Sequence, residues 1–157
     1  MRIKRKPEQV TKKELDLLEK WVMPEGLFFI KHLQTVYAWP LQLAADLHFL
    51  LERLRVIYSG VLVGELIRDK LVPDHALAMS LRVAAIQQTE LSYEQSILYL
   101  QRKNLNTALA RKGWQMVTYQ GHPLGWINAL PHRINNYYPK ELRILKDGSG
   151  LPDSYRV

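Results

Sequence analysis

The apolar residues of this chain change their spacing repeatedly, and this irregularity limits the possible folds more than any other feature. Leu15, Leu18 and Val22 recur every three or four residues, which is typical of one face of a helix. Trp114–Tyr119 instead alternates in the manner of a strand. Because such segments are interspersed without the regular order of βαβ units, the sequence predicts the α+β class.

Hydrogen-bonding side chains mark where two helices begin. Thr11 precedes Glu14 by three residues, and Ser92 precedes Gln95 by three. In each pair the hydroxyl can accept a hydrogen bond from the first helical turn, while the longer side chain reaches back to the cap. We therefore predict that helices start after Thr11 and after Ser92, the second one running to about Arg102.

Two turns predict pairs of strands. Val56–Ile67 is β-branched and apolar, and Arg68–Lys70 follows it as a polar turn. Further along the chain, Gln120 and Gly121 separate the alternating strand described above from a second strand that begins near Leu124. One hairpin is therefore predicted in each half of the chain.

The chain has 157 residues and no cysteine, which excludes disulfides, thiolate metal sites and cysteine nucleophiles among these residues. No serine lies in a nucleophile elbow, and no glycine-rich phosphate loop precedes a helix. The sequence therefore predicts a protein that is not itself an enzyme and that holds no metal ion or cofactor. The histidines lack the spacing of a helical metal-binding pair: His32, His48, His75, His122 and His132.

The apolar runs predict no membrane partner. The longest of them are too short to cross a bilayer, and no apolar stretch follows the basic Met1–Pro7 segment as it would in a signal peptide. The first helix mixes acidic and basic residues, which argues against a cationic membrane-surface helix. We therefore expect a cytoplasmic protein.

The net charge of +7 is concentrated in one part of the chain. Between Arg102 and Lys146 there are eight basic residues and a single acid, Glu141, whereas the other 14 basic residues are balanced by 14 acidic ones. A localised positive field of this kind indicates a polyanionic partner, with nucleic acid the first choice and an anionic membrane the second.

The end of this basic region combines the residue types that bind RNA. Gly121–Asn128 and Asn135–Arg143 interleave aromatic rings with side-chain amides and cations. Aromatic stacking on bases, together with cationic contact to phosphates, is the usual basis of RNA recognition. An alternative stays open for Trp126, which could simply belong to the core of a small barrel.

The same two segments resemble the closing signature of the RsmF-type rRNA cytosine-5 methyltransferases. That signature has a Gly-x-Pro-Leu-Gly-Trp-Gly-Lys strand followed by Lys-Asn-x-Tyr-Pro-Lys-Gly-Leu-Arg, and Gly121–Asn128 and Asn135–Arg143 follow it in order. Upstream, Leu54–Gly60, Gly64–Leu66 and Pro73–Ala78 resemble the region that precedes the signature.

The resemblance implies the substrate-recognition part of such an enzyme rather than the catalytic part. In that family a Rossmann-like catalytic domain uses S-adenosylmethionine and a cysteine, and the chain ends in a PUA-like fold, a small mixed β-barrel with flanking helices. The resemblance thus implies a post-catalytic segment at 1–86, a PUA-like RNA-binding region at 87–147 and a tail at 148–157. S-adenosylmethionine would belong to a catalytic domain in cis or in trans, and the RNA would be rRNA, with the small subunit expected.

Three positions depart from the family pattern. Asn128 and Asn135 stand where the pattern has lysine, and Glu141 stands where it has glycine. Two cations are lost and an acid is gained, which weakens the expected phosphate contact at this loop. The candidate RNA-binding residues are the remaining aromatic, amide and cationic side chains of this part of the chain: Lys140, Arg143, Tyr138, Asn136, Arg133, Trp126, Lys112 and Arg111.

A protein-interaction module is the competing hypothesis, one that docks a methyltransferase or a ribosomal protein. Leu43, Leu47, Leu50 and Leu54 recur at helical spacing after Pro40. Such a stripe usually packs in a core, but an interaction module would leave it partly exposed. The RNA hypothesis instead predicts that the candidate cations share one concave surface.

Overall fold

A computed structural model describes residues 8–54, 60–106 and 111–146 of the protein. The chain divides between Ala85 and Ile86 into two compact units, and each unit has a sheet of its own. Helices and strands are mixed in both units, so the predicted α+β class is confirmed. The predicted tail at 148–157, the basic Met1–Pro7 segment and the start of the predicted strand at Val56 lie outside the described residues.

The first unit is built on a five-stranded antiparallel sheet whose strands follow sequence order. The strands are β1 (Glu8–Gln9), β2 (Leu27–His32), β3 (Thr35–Pro40), β4 (Val61–Ile67) and β5 (Lys70–Pro73). The helices are α1 (Lys12–Leu18), α2 (Ala44–Arg53) and α3 (His75–Ala78), with a 3₁₀ turn at Leu41–Leu43. Helices are thus inserted after β1, after β3 and after β5.

The predicted capping box at the start of α1 is confirmed. The Glu14 backbone N–H donates to the Thr11 hydroxyl at 3.3 Å, and the Thr11 backbone N–H donates to the Glu14 carboxylate at 2.7 Å. The helix ends at Leu18, earlier than the apolar spacing predicts. A few residues later the chain pairs with a distant segment: the Ala84 N–H donates to the Trp21 carbonyl oxygen at 2.9 Å, and the Met23 N–H donates to the Arg82 carbonyl oxygen at 2.8 Å.

The predicted hairpin in the first half of the chain is also confirmed. β4 and β5 pair in antiparallel fashion, and Ile67 and Lys70 are the last pair before the turn. Gly64 on β4 has a φ of 150°, and a side chain at this position would overlap the Val72 carbonyl oxygen on β5. Glycine is therefore the residue that permits the two strands to approach so closely here.

The second unit has a four-stranded sheet in the order β6-β7-β8-β9. Its elements are β6 (Gln88–Glu90), α4 (Tyr93–Leu100), β7 (Gly113–Tyr119), β8 (His122–Leu130) and β9 (Arg133–Asn136). β6 runs parallel to β7, and the other pairs are antiparallel. The resemblance implied a small mixed β-barrel with flanking helices. In the described residues β6 and β9 are the two edges of the sheet and do not pair with each other.

Helix α4 packs against one face of this sheet through buried apolar side chains. Tyr99 is fully buried, and its hydroxyl donates to the Trp126 carbonyl oxygen at 3.2 Å. Burial raises the pKa of Tyr99 well above its ordinary value, so the hydroxyl remains protonated as a donor. This core cluster consists of Leu91, Tyr99, Leu105, Val117 and Ile127.

Candidate nucleic-acid interface

Strand β9 distributes the candidate residues between the two faces of the second unit's sheet. Ile134 packs against the core cluster, and the Asn136 amide donates to the Tyr99 carbonyl oxygen at 2.8 Å. Because successive residues of a strand point to opposite faces, Arg133 and Asn135 face away from this core. We call the face that carries Arg133 and Asn135 the outer face.

Three of the candidate RNA-binding residues serve the interior. Trp126 has 0% of its surface exposed, so no base can stack on its ring, and it is a core residue. Asn136 uses both ends of its amide, since its oxygen also accepts the Tyr138 backbone N–H at 2.9 Å. The Tyr138 ring meets the Tyr99 ring edge-on at a centroid distance of 5.5 Å. The contacts of Asn136 and Tyr138 hold the β9 segment on the core cluster. Trp126 pairs with Met116 on β7 and is buried on the other face of the sheet, the face that carries Trp114. We therefore do not include these three residues in the interface.

Two half-buried aromatic rings on the outer face were not among the candidate residues. The ring centroids of Trp114 and Tyr137 are 4.4 Å apart, and the ring planes are inclined by 52°. Trp114 pairs with Asn128 on β8, and Asn128 pairs with Asn135 on β9, so these three residues form one row across the sheet. The two-residue period of β9 is the sequence signal that could have found Tyr137, which follows Asn135 by two positions.

Exposed cations lie at one end of the outer face. Gly113 on β7 pairs with Ala129 on β8, and Lys112 comes directly before Gly113. Arg133 is the first residue of β9 and lies one row beyond the same Ala129. Lys112 and Arg133 therefore lie at the same end of the sheet on either side of β8, and both are exposed, as is Arg111.

The remaining candidate cations follow β9. A 3₁₀ turn at Lys140–Leu142 leads the chain back to the C-terminal end of α4, where the Ile144 N–H donates to the Leu100 carbonyl oxygen at 3.2 Å. Lys140 and Arg143 are exposed in this segment. The structure thus places Lys112 and Arg133 at one end of the sheet and Lys140 and Arg143 in a second group, in the segment that returns to α4.

None of these five cations forms an ion pair within the described ranges of the chain. The ion pairs found in those ranges all lie in the first unit. Cations without an acidic neighbour leave their field available to a polyanion in solution. Contact between either group and phosphates therefore breaks no ion pair among the described residues.

Two family models match the chain, one in each unit. A model described as the RsmF rRNA methyltransferase first C-terminal domain matches residues 13–81, and a model described as the methyltransferase RsmF PUA domain matches residues 87–144. The chain therefore belongs to the RsmF-type methyltransferase family and matches two of its C-terminal domains. The resemblance inferred from its motifs is thereby confirmed. A search of curated proteins found no match.

The RsmF PUA match contains all four strands of the second sheet and therefore the whole outer face. The two positions at which this chain departs from the RsmF-type lysines are Asn128 and Asn135, and the strand register places them directly opposite each other. Like charges that face each other on neighbouring strands repel. With lysine at both positions, two cations would face each other beside Trp114. With asparagine at both positions, this chain has two neutral amides there.

Neither a membrane span nor a metal site is found in the described part of the chain. No helix there is both long and apolar enough to cross a bilayer. No three side chains of histidine, aspartate or glutamate there are grouped so that they could hold a metal ion. Burial lowers the pKa of His75, against the opposing effect of the neighbouring Asp74.

Proposed function

We propose that this chain is an RNA-binding module of an rRNA cytosine-5 methyltransferase that positions rRNA for methylation. The observation that carries the proposal is a set of exposed cations on a PUA-type domain with no acidic partner among the described residues. They are Arg111, Lys112, Arg133, Lys140 and Arg143. Because the chain matches domains of rRNA methyltransferases, we propose rRNA as its partner, and we expect small-subunit rRNA.

In this proposal the chemistry belongs to another domain. The chain has no cysteine, so it cannot supply the thiolate that attacks the pyrimidine ring. A catalytic domain in cis or in trans would bind S-adenosylmethionine and transfer the methyl group, while this module would hold no cofactor. The expected location is the cytoplasm.

The test is binding of the whole chain to small-subunit rRNA hairpins and to duplex DNA of equal length. Two double variants remove one cation group each, namely Lys112→Ala/Arg133→Ala and Lys140→Ala/Arg143→Ala. We expect each to weaken RNA binding about 10-fold at moderate salt, because each removes two phosphate contacts. The matched control is Lys12→Ala/Lys20→Ala, which removes two exposed lysines of the first unit. No RNA binding at low salt, or an equal loss in the control, would overturn the proposal.

A second candidate function has an observation of its own in helix α2. Leu47 of the leucine stripe is buried, but Leu43 and Leu54 are 42% and 61% exposed, and Phe49 on the same helix is 57% exposed. The stripe is thus partly exposed, as a protein-interaction module would require. The partner would be a methyltransferase catalytic domain or a ribosomal protein.

The test of this second candidate is association with an RsmF-type catalytic domain. Phe49→Ser/Leu54→Ser should weaken association by about 10-fold or more if the exposed apolar side chains are buried on docking. The matched control is Leu33→Ser, which removes a 72% exposed leucine between β2 and β3. An unchanged affinity in the double variant would remove this candidate.

A further inference from the structure

The outer face of the second unit offers a site for a nucleobase in addition to its cations. The Trp114 and Tyr137 rings are tilted by 52° at a centroid distance of 4.4 Å. At that angle the two rings do not cover each other's faces as parallel rings would. Both side chains are half-buried, so the protein holds them in place while part of each ring stays accessible. Rings held in this way can stack on a base with little loss of side-chain entropy.

Two side-chain amides lie beside this ring pair. Asn128 and Asn135 share a row with Trp114, and both are half-buried. Within residues 8–54, 60–106 and 111–146, neither side-chain amide makes a hydrogen bond. An asparagine side chain has two donor hydrogens and an acceptor oxygen, which match the mixed donors and acceptors on the edge of a base. A ligand with a flat ring and a polar edge can stack on an aromatic ring and form hydrogen bonds with the amides.

Exposure increases along the outer face toward its cationic end. Met116 and Trp126 are paired and buried, the Trp114 row is half-buried, and Lys112 and Arg133 beyond it are exposed. A nucleotide laid along this gradient would place its base on the rings and its phosphates near the cations. Charge complementarity therefore selects a nucleic acid over a neutral aromatic ligand.

We infer that the outer face binds an unpaired RNA nucleotide, with its base stacked on one ring of the Trp114–Tyr137 pair and packed against the other, and with its polar edge bonded to Asn128 and Asn135. This inference rests on the proposed RNA-binding function and names the form of RNA that the module selects. Bases inside a duplex are already stacked on each other and present no free face to a protein ring, whereas bases in loops and bulges do. The site therefore selects loops and bulges over helical RNA.

The experiment compares three RNAs of equal length on the whole chain: a hairpin with an unpaired loop, the same hairpin with abasic loop nucleotides, and a fully paired duplex. We expect the wild-type chain to bind the first RNA about 10-fold or more tightly than the other two, because a stacked base is lost in both. Trp114→Leu and Tyr137→Leu should weaken binding of the intact loop by a similar factor and leave binding of the other two RNAs unchanged.

Two further sets of variants separate recognition from stability. Tyr119→Leu is the matched control, since Tyr119 is a half-buried tyrosine on the same strand β7 whose ring contacts Tyr93 at 6.3 Å. It should not change loop preference. Tyr137→Phe keeps the ring and should keep the affinity. Asn128→Ala/Asn135→Ala should change the ranking of loops that differ only in their base.

The outcomes distinguish this inference from the proposed function. If the wild-type chain binds loop and duplex equally and the ring variants change neither, the base site is refuted while RNA binding stands. If the wild-type chain binds none of the three RNAs, the proposed function fails and the base site with it. If the ring variants do not fold, the abasic hairpin decides with wild-type protein, and equal affinity for the intact and abasic loops refutes the site.

Discussion

Neighbouring residues of the same type have different roles in and after β9. Asn135 lies on the outer face, while Asn136 donates to the Tyr99 carbonyl oxygen and accepts from a backbone N–H. Tyr137 contacts Trp114 on the outer face, while Tyr138 packs on the core cluster. At this scale the role of a side chain follows from its parity along the strand rather than from its chemistry.

The burial of Trp126 predicts a large loss of stability on truncation. Trp126→Ala should lower the free energy of unfolding by about 3–5 kcal/mol, because it opens a cavity between packed side chains. Urea unfolding measures this loss. Trp114→Ala is the matched control and should cost clearly less, since that ring is only half-buried. Equal losses in the two variants would contradict the placement of Trp126 in the core.

The asparagine pair predicts a contrast between two adjacent substitutions. Asn136→Ala should lower the free energy of unfolding by about 1–3 kcal/mol, because it leaves two backbone groups without their partners. Asn135→Ala should change that free energy by less than about 0.5 kcal/mol. Both values come from the same urea titration. The reverse order would mean that the two faces of β9 have been assigned the wrong way round.

At the scale of elements, the start of α1 is joined to the sheet through one carboxylate. Glu14 completes the capping box with Thr11 and also accepts a hydrogen bond from the Lys31 ammonium on β2 at 2.6 Å. The ion pair is largely shielded from solvent, with side-chain exposures of 17% and 23%. Partial burial opposes ionisation, but the hydrogen bonds from Lys31 and Thr11 outweigh it and lower the pKa of Glu14.

Glu14→Gln should therefore destabilise the chain by about 1 kcal/mol at pH 7, because it weakens the cap and removes the ion pair. A lowered pKa in the folded state means that this stabilisation is present above the unfolded value of about 4.3. It is lost as the pH falls through the lower folded value. Urea unfolding at pH 7, 5 and 3 should show the gap between wild type and variant narrowing at the lowest pH.

The matched control for this experiment is Glu19→Gln, which changes an exposed glutamate just beyond the end of the same helix. Its effect on the free energy of unfolding should be small and nearly constant over the three pH values. A gap for Glu14→Gln that stays constant down to pH 3 would mean that ionisation of Glu14 does not stabilise α1.

At the scale of the whole molecule, the uneven distribution of charge is the dominant feature. The excess of +7 lies between Arg102 and Lys146, within the second unit, and the rest of the chain is balanced. The ion pairs of the described residues lie in the first unit instead. The two units therefore differ in net charge, and the excess of cations lies in the second.

This distribution predicts the salt dependence of RNA binding. If the five exposed cations each contact a phosphate, the logarithm of the binding constant should fall with the logarithm of salt at a slope of about −3.5 for single-stranded RNA. Lys140→Ala/Arg143→Ala should reduce that slope by about 1.4. Fluorescence anisotropy over a salt series measures both values. A slope near zero would contradict a binding mode that depends on these cations.

Much of the fold was predictable because its signals are local. The caps at Thr11 and Ser92 each join groups three residues apart, and both are present as predicted. The candidate site was predictable only in part. Its cations could be identified as residues that have no place in a core. Trp126 was a candidate but is buried, whereas Trp114 was not a candidate and is half-buried. Nothing in their immediate sequence distinguishes a tryptophan on a buried strand position from one on an accessible position.

The sequence by itself determined the helix starts, the hairpin turns, the location of the excess charge and the RsmF-type signature. These depend on residues close together in the chain or on composition alone. The tertiary structure alone decided that β6 pairs in parallel with β7, some 28 positions away, and that the sheet stays open at β9. It also decided which face of β8 and β9 is the outer face. The physical reason is that strand pairing and helix packing join segments that are distant in the sequence.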